Sequence, residues 1–142
     1  MQFGVDIPFV RHLGFELMLF EGGHSELRYA ALPEHDNSFH VVHGGAVMTL
    51  LDVTMATAAR SIQQDMGVIT IEMKTIFMQP CRGVLTGKGR LMHRTASMAF
   101  TEATIYDSEG RACAHGTGTF KYVRRQPAGA AGAGGQGVIS TD

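Results

Sequence analysis

A histidine followed by two glycines has an asparagine six positions before it and an aspartate seven positions after the second glycine. The residues are Asn37, His43, Gly44, Gly45 and Asp52. The glycines fall where a helical pattern begins. The first N–H groups of a helix lack internal acceptors, and the helix dipole adds partial positive charge there. Glycine has no Cβ to keep a ligand from the backbone. A carbonyl oxygen that gains negative charge during attack would be stabilised at such a spot. This is the logic of an oxyanion hole, where loss of one donor typically costs ~10²–10³ in rate.

Asp52 lies two turns into the same helix, at the flank of its apolar stripe beside Met48 and Ala59. A carboxylate there is costly unless it is solvated, paired or used. The plain alternatives are a flank carboxylate that faces solvent or one that pairs with Arg60. Gly44 and Asp52 are eight residues apart, about 12 Å along a helix axis. A carbonyl held at Gly44 is thus beyond the reach of its own chain's Asp52. If both act on one substrate, the acid comes from a second subunit, and a twofold dimer carries two composite sites.

The elements that must position these residues follow from hydrophobic period and turn chemistry. Asp6-Ile7-Pro8 reads as a helix start with Asp6 as cap, and Gly14 as its stop. Phe15 to Glu21 and Ser25 to Ala31 read as a hairpin around Gly22-Gly23. Leu32 to His43 reads as a loop. Gly44 to Gln64 is the long helix, with Val47, Leu50, Leu51, Thr54, Met55, Ala58 and Ile62 at helical spacing. Strands are expected over 68–78, 84–95, 98–106 and 111–123, as an antiparallel meander. In the first of these, alternation turns Ile69, Ile71 and Met73 toward the helix and Thr70 away from it. No strand–helix–strand repetition occurs, so the class is α+β, with the sheet wrapped around the single long helix.

The chain has 142 residues, 12 Lys+Arg and 13 Asp+Glu, for a net charge of −1. That balance gives no general attraction for nucleic acid or anionic membrane. No stretch is long and apolar enough for a transmembrane helix. The N-terminus does not read as a signal peptide, and the expected location is the cytoplasm. Two cysteines, Cys81 and Cys113, are too few for a disulfide framework and fit a reducing compartment. The domain is expected over residues 1–125. Residues 126–142 read as a flexible Gly/Ala-rich tail.

With Asn37, His43-Gly44-Gly45 and Asp52 in this spacing, the sequence resembles the hotdog-fold acyl-CoA thioesterases. The closer likeness is to the PaaI-like branch of the 4-hydroxybenzoyl-CoA thioesterase superfamily. The segment from Gly67 to Pro80, with its Met-Gln-Pro end, and the segment from Asp107 to Phe120 are similar to the family's later strands. The likeness spans about Phe15 to Val123. One departure is His40, which stands where relatives often carry glycine.

The resemblance implies a hotdog fold, a curled antiparallel sheet around one central helix, in a homodimer or homotetramer. It implies hydrolysis of an acyl-CoA thioester. Gly44 would polarise the carbonyl through its N–H. Asp52 of the partner subunit would act as general base or nucleophile. Asn37 would orient water or the thioester, His43 would shape the loop, and Thr70 would set a hydroxyl near the carboxylate. Candidate contacts to the CoA moiety are Gly45, His93, Arg94 and Arg124. His93-Arg94 is read in a turn, and these basic residues read equally well as a solvated rim.

CoA is substrate here, and no separate cofactor is expected. No metal is expected either, since His35, His40 and His43 lack a completing carboxylate or thiolate. Phe39, Phe77, Phe100 and the methionines are expected mostly in the core, some lining an acyl site. A non-catalytic acyl-CoA-binding module is the alternative. A dehydratase ranks last, because no His-Phe-Pro-type segment is present.

Overall fold

The structure, a computed structural model, describes residues 2–125. The tail expected over residues 126–142 lies outside the described residues. Helix α1 (Pro8–Leu13) precedes strands β1 (Glu16–Glu21) and β2 (His24–Tyr29). A single 3-10 turn at Pro33–His35 leads to helix α2 (Gly44–Arg60). Strands β3 (Met66–Phe77), β4 (Leu85–Arg94), β5 (Met98–Tyr106) and β6 (Ala112–Arg124) follow.

The local chemistry explains where the helices end. Pro8 occupies the first turn of α1, and Gly14 closes it at φ 79. Asp6 is not the cap: Ile7 holds that position without a side-chain bond, and Asp6 pairs with Arg11 instead. Helix α2 stops at Arg60, four residues earlier than the apolar period suggested. Ser61 ends it. Its Oγ donates to the Ala58 carbonyl at 2.7 Å and accepts the Gly23 N–H at 2.8 Å. The hydroxyl thus competes with the helical ladder and ties the helix end to the β1–β2 turn. Ile62 falls beyond the helix and is exposed.

The sheet has six strands in the order β1-β2-β4-β5-β6-β3, every neighbouring pair antiparallel. The simple meander is therefore corrected: only β4, β5 and β6 run in sequence, while β3 lies outside them on the free edge. Helix α2 packs against all six strands, which is the hotdog arrangement. Its buried face carries Val47, Leu50, Leu51, Met55 and Ala59 of the central apolar cluster.

A helix this deep needs strands that yield space. A Cβ on Gly89 of β4 would stand 2.5 Å from Ser25 Oγ and 2.7 Å from the Thr54 carbonyl oxygen. One on Gly87 would stand 2.6 Å from Thr54 Oγ1. The same contact is sealed by a hydrogen bond from Ser25 Oγ to the Thr54 carbonyl, 2.6 Å.

Strand β3 corrects the expected alternation. Thr70 pairs with Phe120 and Glu72 with Thr119, so Ile71 is an extra residue. This bulge shifts the parity of the strand. Val68 and Thr70 face the helix before it; Met73 and Phe77 face it after. Ile71 and Ile76 are exposed. The expected core also loses members: Phe39, Phe77, Phe100, Met18, Met48, Met78 and Met92 are all exposed, whereas Met55 is fully buried.

A Gly89→Ala substitution should cost about 1–3 kcal/mol in urea-unfolding stability, because backbone as well as side chain must move. Lys88→Ala, an exposed neighbour, should stay within about 0.5 kcal/mol. Equal effects would contradict the close approach of α2 to β4.

Candidate active site

The loop before α2 is held by three local devices. Asn37 Oδ1 accepts the N–H groups of Phe39 (2.9 Å) and Val41 (3.3 Å). Its backbone N–H donates to the Val41 carbonyl at 2.8 Å. The turn this creates places His40 at φ 61, the left-handed region that suits glycine. His40 thus adopts the conformation that glycine would take at this position.

The second device is His35. Its Nδ1 accepts the Leu32 N–H at 3.2 Å, so the Tyr29 hydroxyl, 2.7 Å away, must be the donor to it. Burial, with Asp36 adding to it, pushes the Tyr29 pKa up to about 12 and keeps that proton in place. The third is His43, the N-cap of α2, whose Nδ1 accepts the Gly45 N–H at 2.8 Å. The three loop histidines therefore do different jobs and do not converge. Among the described residues, no three His, Cys, Asp or Glu side chains gather to hold a metal.

This capping separates the two glycines. The Gly45 N–H is taken by His43. The Gly44 N–H has no acceptor among the described residues. Gly44 lines a groove of about 570 Å³ with Asn37, Phe39, Val47, Phe77 and Cys81. The Phe77 ring lies 3.4 Å from where a Cβ on Gly44 would be, so the groove wall crowds this residue. His43 and Gly45 line a different cleft, shared with Phe9 and His12. His43 is thus a loop-shaping residue here, and Gly45 does not face the groove.

Asp52 is half-buried on α2. Its Oδ1 accepts the Thr70 hydroxyl across to β3, 2.6 Å. The pairing with Arg60 does not hold. Arg60 is buried elsewhere, donating to the Phe3 carbonyl at 3.1 Å and covering the Phe20 ring. Burial raises the Asp52 pKa above the ordinary 3.8, and the Thr70 hydrogen bond offsets part of that rise. A half-desolvated carboxylate with a hydroxyl partner is a group able to take a proton. Gly44 and Asp52 belong to one unbroken helix, so about 12 Å of axis separates them.

The basic candidates lie at the far end of the sheet. His93 and Arg94 are the last residues of β4 rather than part of a turn. His93 stacks on Phe100, and Arg94 lies over Tyr122 while donating to the Thr95 and Ala96 carbonyls. Arg124 pairs with Met66, at the opposite end of β3 from Phe77. One chain therefore brings together Asn37 with Gly44, and Thr70 with Asp52, but not these two pairs with each other. Phe77 and Met78, expected among core residues of which some line an acyl site, are wall residues of the groove, and Cys81 beside them was missed. The Met-Gln-Pro strand end was the signal that pointed to them.

Comparison with known proteins agrees with the fold. The model of the thioesterase superfamily matches residues 39–114, more than half of the chain. A Saccharolobus solfataricus protein with a provisional esterase name is 24% identical over 115 residues, 80% of this chain and 82% of its own. A conserved protein of Pseudomonas aeruginosa superposes with a TM-score of 0.80 at 25% identity, covering 84% of this chain and 97% of that one. The PaaI protein of the E. coli phenylacetic acid degradation operon shares the fold, with a TM-score of 0.78 at 18% identity over 83% and 86%.

The raised Asp52 pKa has a definite sign in stability. The folded carboxyl keeps its proton to higher pH than the unfolded one. Stability therefore falls as pH climbs from the unfolded value to the folded one, then levels off. Asp52→Asn should remove that fall, which unfolding curves across pH 3–8 would show. In a carboxyl-carbon NMR titration, Thr70→Val should move the Asp52 midpoint higher still. A midpoint at or below 3.8 in the unaltered protein would contradict the burial argument.

Proposed function

Since the chain belongs to the thioesterase superfamily, we propose that it hydrolyses an acyl-CoA thioester to a free acid and CoA. The acting groups are the Gly44 N–H of one protomer and Asp52 of the partner subunit. The observation that carries this reading is the unequal treatment of two adjacent N–H groups. Gly45 is capped from within, while Gly44 keeps its donor uncommitted in an apolar groove.

The steps follow from the groups. The acyl portion lies along the apolar wall, and the thioester oxygen meets the Gly44 N–H. The Asp52 carboxylate takes a proton from water as its oxygen attacks the carbonyl carbon. Negative charge on the carbonyl oxygen is held by the N–H and the helix dipole. The intermediate collapses, the C–S bond breaks, and the CoA thiolate leaves and is protonated. Direct attack by Asp52 would pass through a mixed anhydride. Oxygen-18 from solvent entering the enzyme in one turnover would mark that route. Asn37 keeps its Nδ2 donors for the water or the thioester, since its Oδ1 is engaged within the loop.

The dimer is supported by β3. It is a twelve-residue strand with one edge unpaired and with Ile71, Ile76 and Phe77 exposed. Such an edge is a template for another strand. Antiparallel pairing of two β3 strands about a twofold axis would set the Thr70–Asp52 pair of one beside the Phe77–Gly44 end of the other. It would also carry Arg94 and Arg124 of the partner subunit toward the same groove, where a CoA phosphate could meet them.

Gly44→Pro tests the donor alone. His43, at φ −58 and ψ 137, already has the backbone that a following proline requires. Position Gly44 starts the helix, where proline is tolerated. The variant should lose ~10²–10³ in kcat, while Gly44→Ala, which keeps the N–H, should lose far less. Asp52→Ala should bind acyl-CoA but turn over at least ~10²-fold slower. Mixed dimers of Gly44→Pro with Asp52→Ala should recover roughly a quarter of normal turnover, since half the dimers hold one intact composite site. No recovery would place both groups in one chain's site. Wild-type binding with no turnover across an acyl-CoA panel would leave a binding module.

A further inference from the structure

One sulfur in the wall of the Gly44 groove and a second buried beside it are not used by the hydrolysis above. Cys81 follows β3 and lines the groove; Cys113 lies on β6 behind it. Both are reduced and buried, and their sulfurs stand 2.9 Å apart. A disulfide needs about 2.05 Å, so closing the gap requires a shift of about 0.9 Å shared between two side chains. Thirty-two positions of sequence separate them, and the fold brings them together by a second bulge. Ile105 pairs with Ala114 and Tyr106 with Ala112, which leaves Cys113 as the extra residue of β6. Its carbonyl accepts the N–H groups of Met78 (3.0 Å) and Gln79 (3.3 Å), clamping the segment that carries Cys81.

We propose that Cys81 and Cys113 form an oxidisable dithiol that takes a small peroxide through the groove and closes to a disulfide, slowing thioester turnover. The first step is attack of the Cys81 thiolate on one peroxide oxygen. The O–O bond breaks, hydroxide leaves, and Cys81 becomes a sulfenic acid. The Cys113 sulfur then attacks the Cys81 sulfur. The S–O bond breaks, and water leaves with the Cys113 proton. In sum, two thiols give two electrons to one peroxide and yield a disulfide and two waters.

The pair is ordered for this sequence. With both thiols protonated, the Cys81 S–H donates to the Cys113 sulfur and the Cys113 S–H to the Ile105 carbonyl at 3.4 Å. Once Cys81 gives up its proton, the Cys113 S–H can turn to it, which favours the Cys81 thiolate and lowers its pKa. That same bond, with burial, pushes the Cys113 thiol up. Cys81 is also the member that borders the groove, so the more thiolate-like sulfur is the one a small oxidant reaches. The link to turnover runs through the backbone. The Cys81 carbonyl accepts the Val42 N–H at 3.3 Å, and Val42 directly precedes His43-Gly44. Drawing Cys81 toward Cys113 pulls on the residue that positions the Gly44 donor. This last link rests on the hydrolysis proposed above; the oxidation itself does not.

The test uses the full chain with hydrogen peroxide. Intact mass should fall by two hydrogens, and both thiols should resist alkylation after denaturation. A peptide map should join the Cys81 and Cys113 segments. Thioester hydrolysis should drop at least ~5-fold and return with dithiothreitol. Cys113→Ser, and Cys113→Ala should the serine fold poorly, should give no cross-link and no reversible loss. Two alkylatable thiols after peroxide, or oxygen adducts on Cys81 with Cys113 still free, would overturn the site. A complete disulfide with unchanged hydrolysis would overturn its coupling to Gly44. Should no thioester be hydrolysed at all, the mass and alkylation results still decide the dithiol.

Discussion

Everything in this molecule depends on how closely one helix can be pressed into one sheet. Six strands contact α2, and at β4 the backbone surfaces meet with no room for a Cβ at Gly87 or Gly89. The Ser25 hydroxyl fastens the same spot to the Thr54 carbonyl. Once the helix is seated, its remaining freedoms disappear. Its start is fixed by the His43 cap and its end by Ser61. Asp52 is then left at the flank facing β3, half out of water, with Thr70 as its hydrogen-bond partner.

The charge arrangement follows from that seating. A straight helix holds its free N–H at one end and its carboxylate two turns on, so the two cannot act on one bond within a chain. The same rigidity makes both positions dependable. A donor at a capped helix start needs no reorganisation when charge develops, and a carboxylate braced by a hydroxyl does not drift. The chain belongs to the thioesterase superfamily, and the hydrolysis proposed above would divide the two groups between protomers in this way.

The parts of the fold that could be read from sequence were those written in local chemistry. Gly22-Gly23 marked the hairpin, the Val47-to-Ala58 period marked α2, and the Asp107–Gly110 turn separated β5 from β6. The candidate-site segment could be picked out as well, because a histidine, two glycines and a flank carboxylate are close in sequence. What escaped was decided by distant contacts. Asp6 lost its capping role to an ion pair with Arg11, and the helix ended early because Ser61 found Gly23. The place of β3 outside β6 is a matter of which edges meet, which no alternation encodes. Exposure of Phe39 and Phe77 was hidden for the same reason: an aromatic residue reads as core unless its neighbours are known.

The extra residue at Ile71 acts as a phase shifter along β3. Upstream of it, even-numbered side chains look inward; downstream, odd-numbered ones do. A length change of one near this point would therefore not simply scar the strand. It would exchange inside for outside along an entire half, either withdrawing the Thr70 hydroxyl from Asp52 or turning Phe77 out of the groove. A change of two would leave both in step. The strand should accordingly tolerate indels by parity, which is an unusual currency for a protein surface.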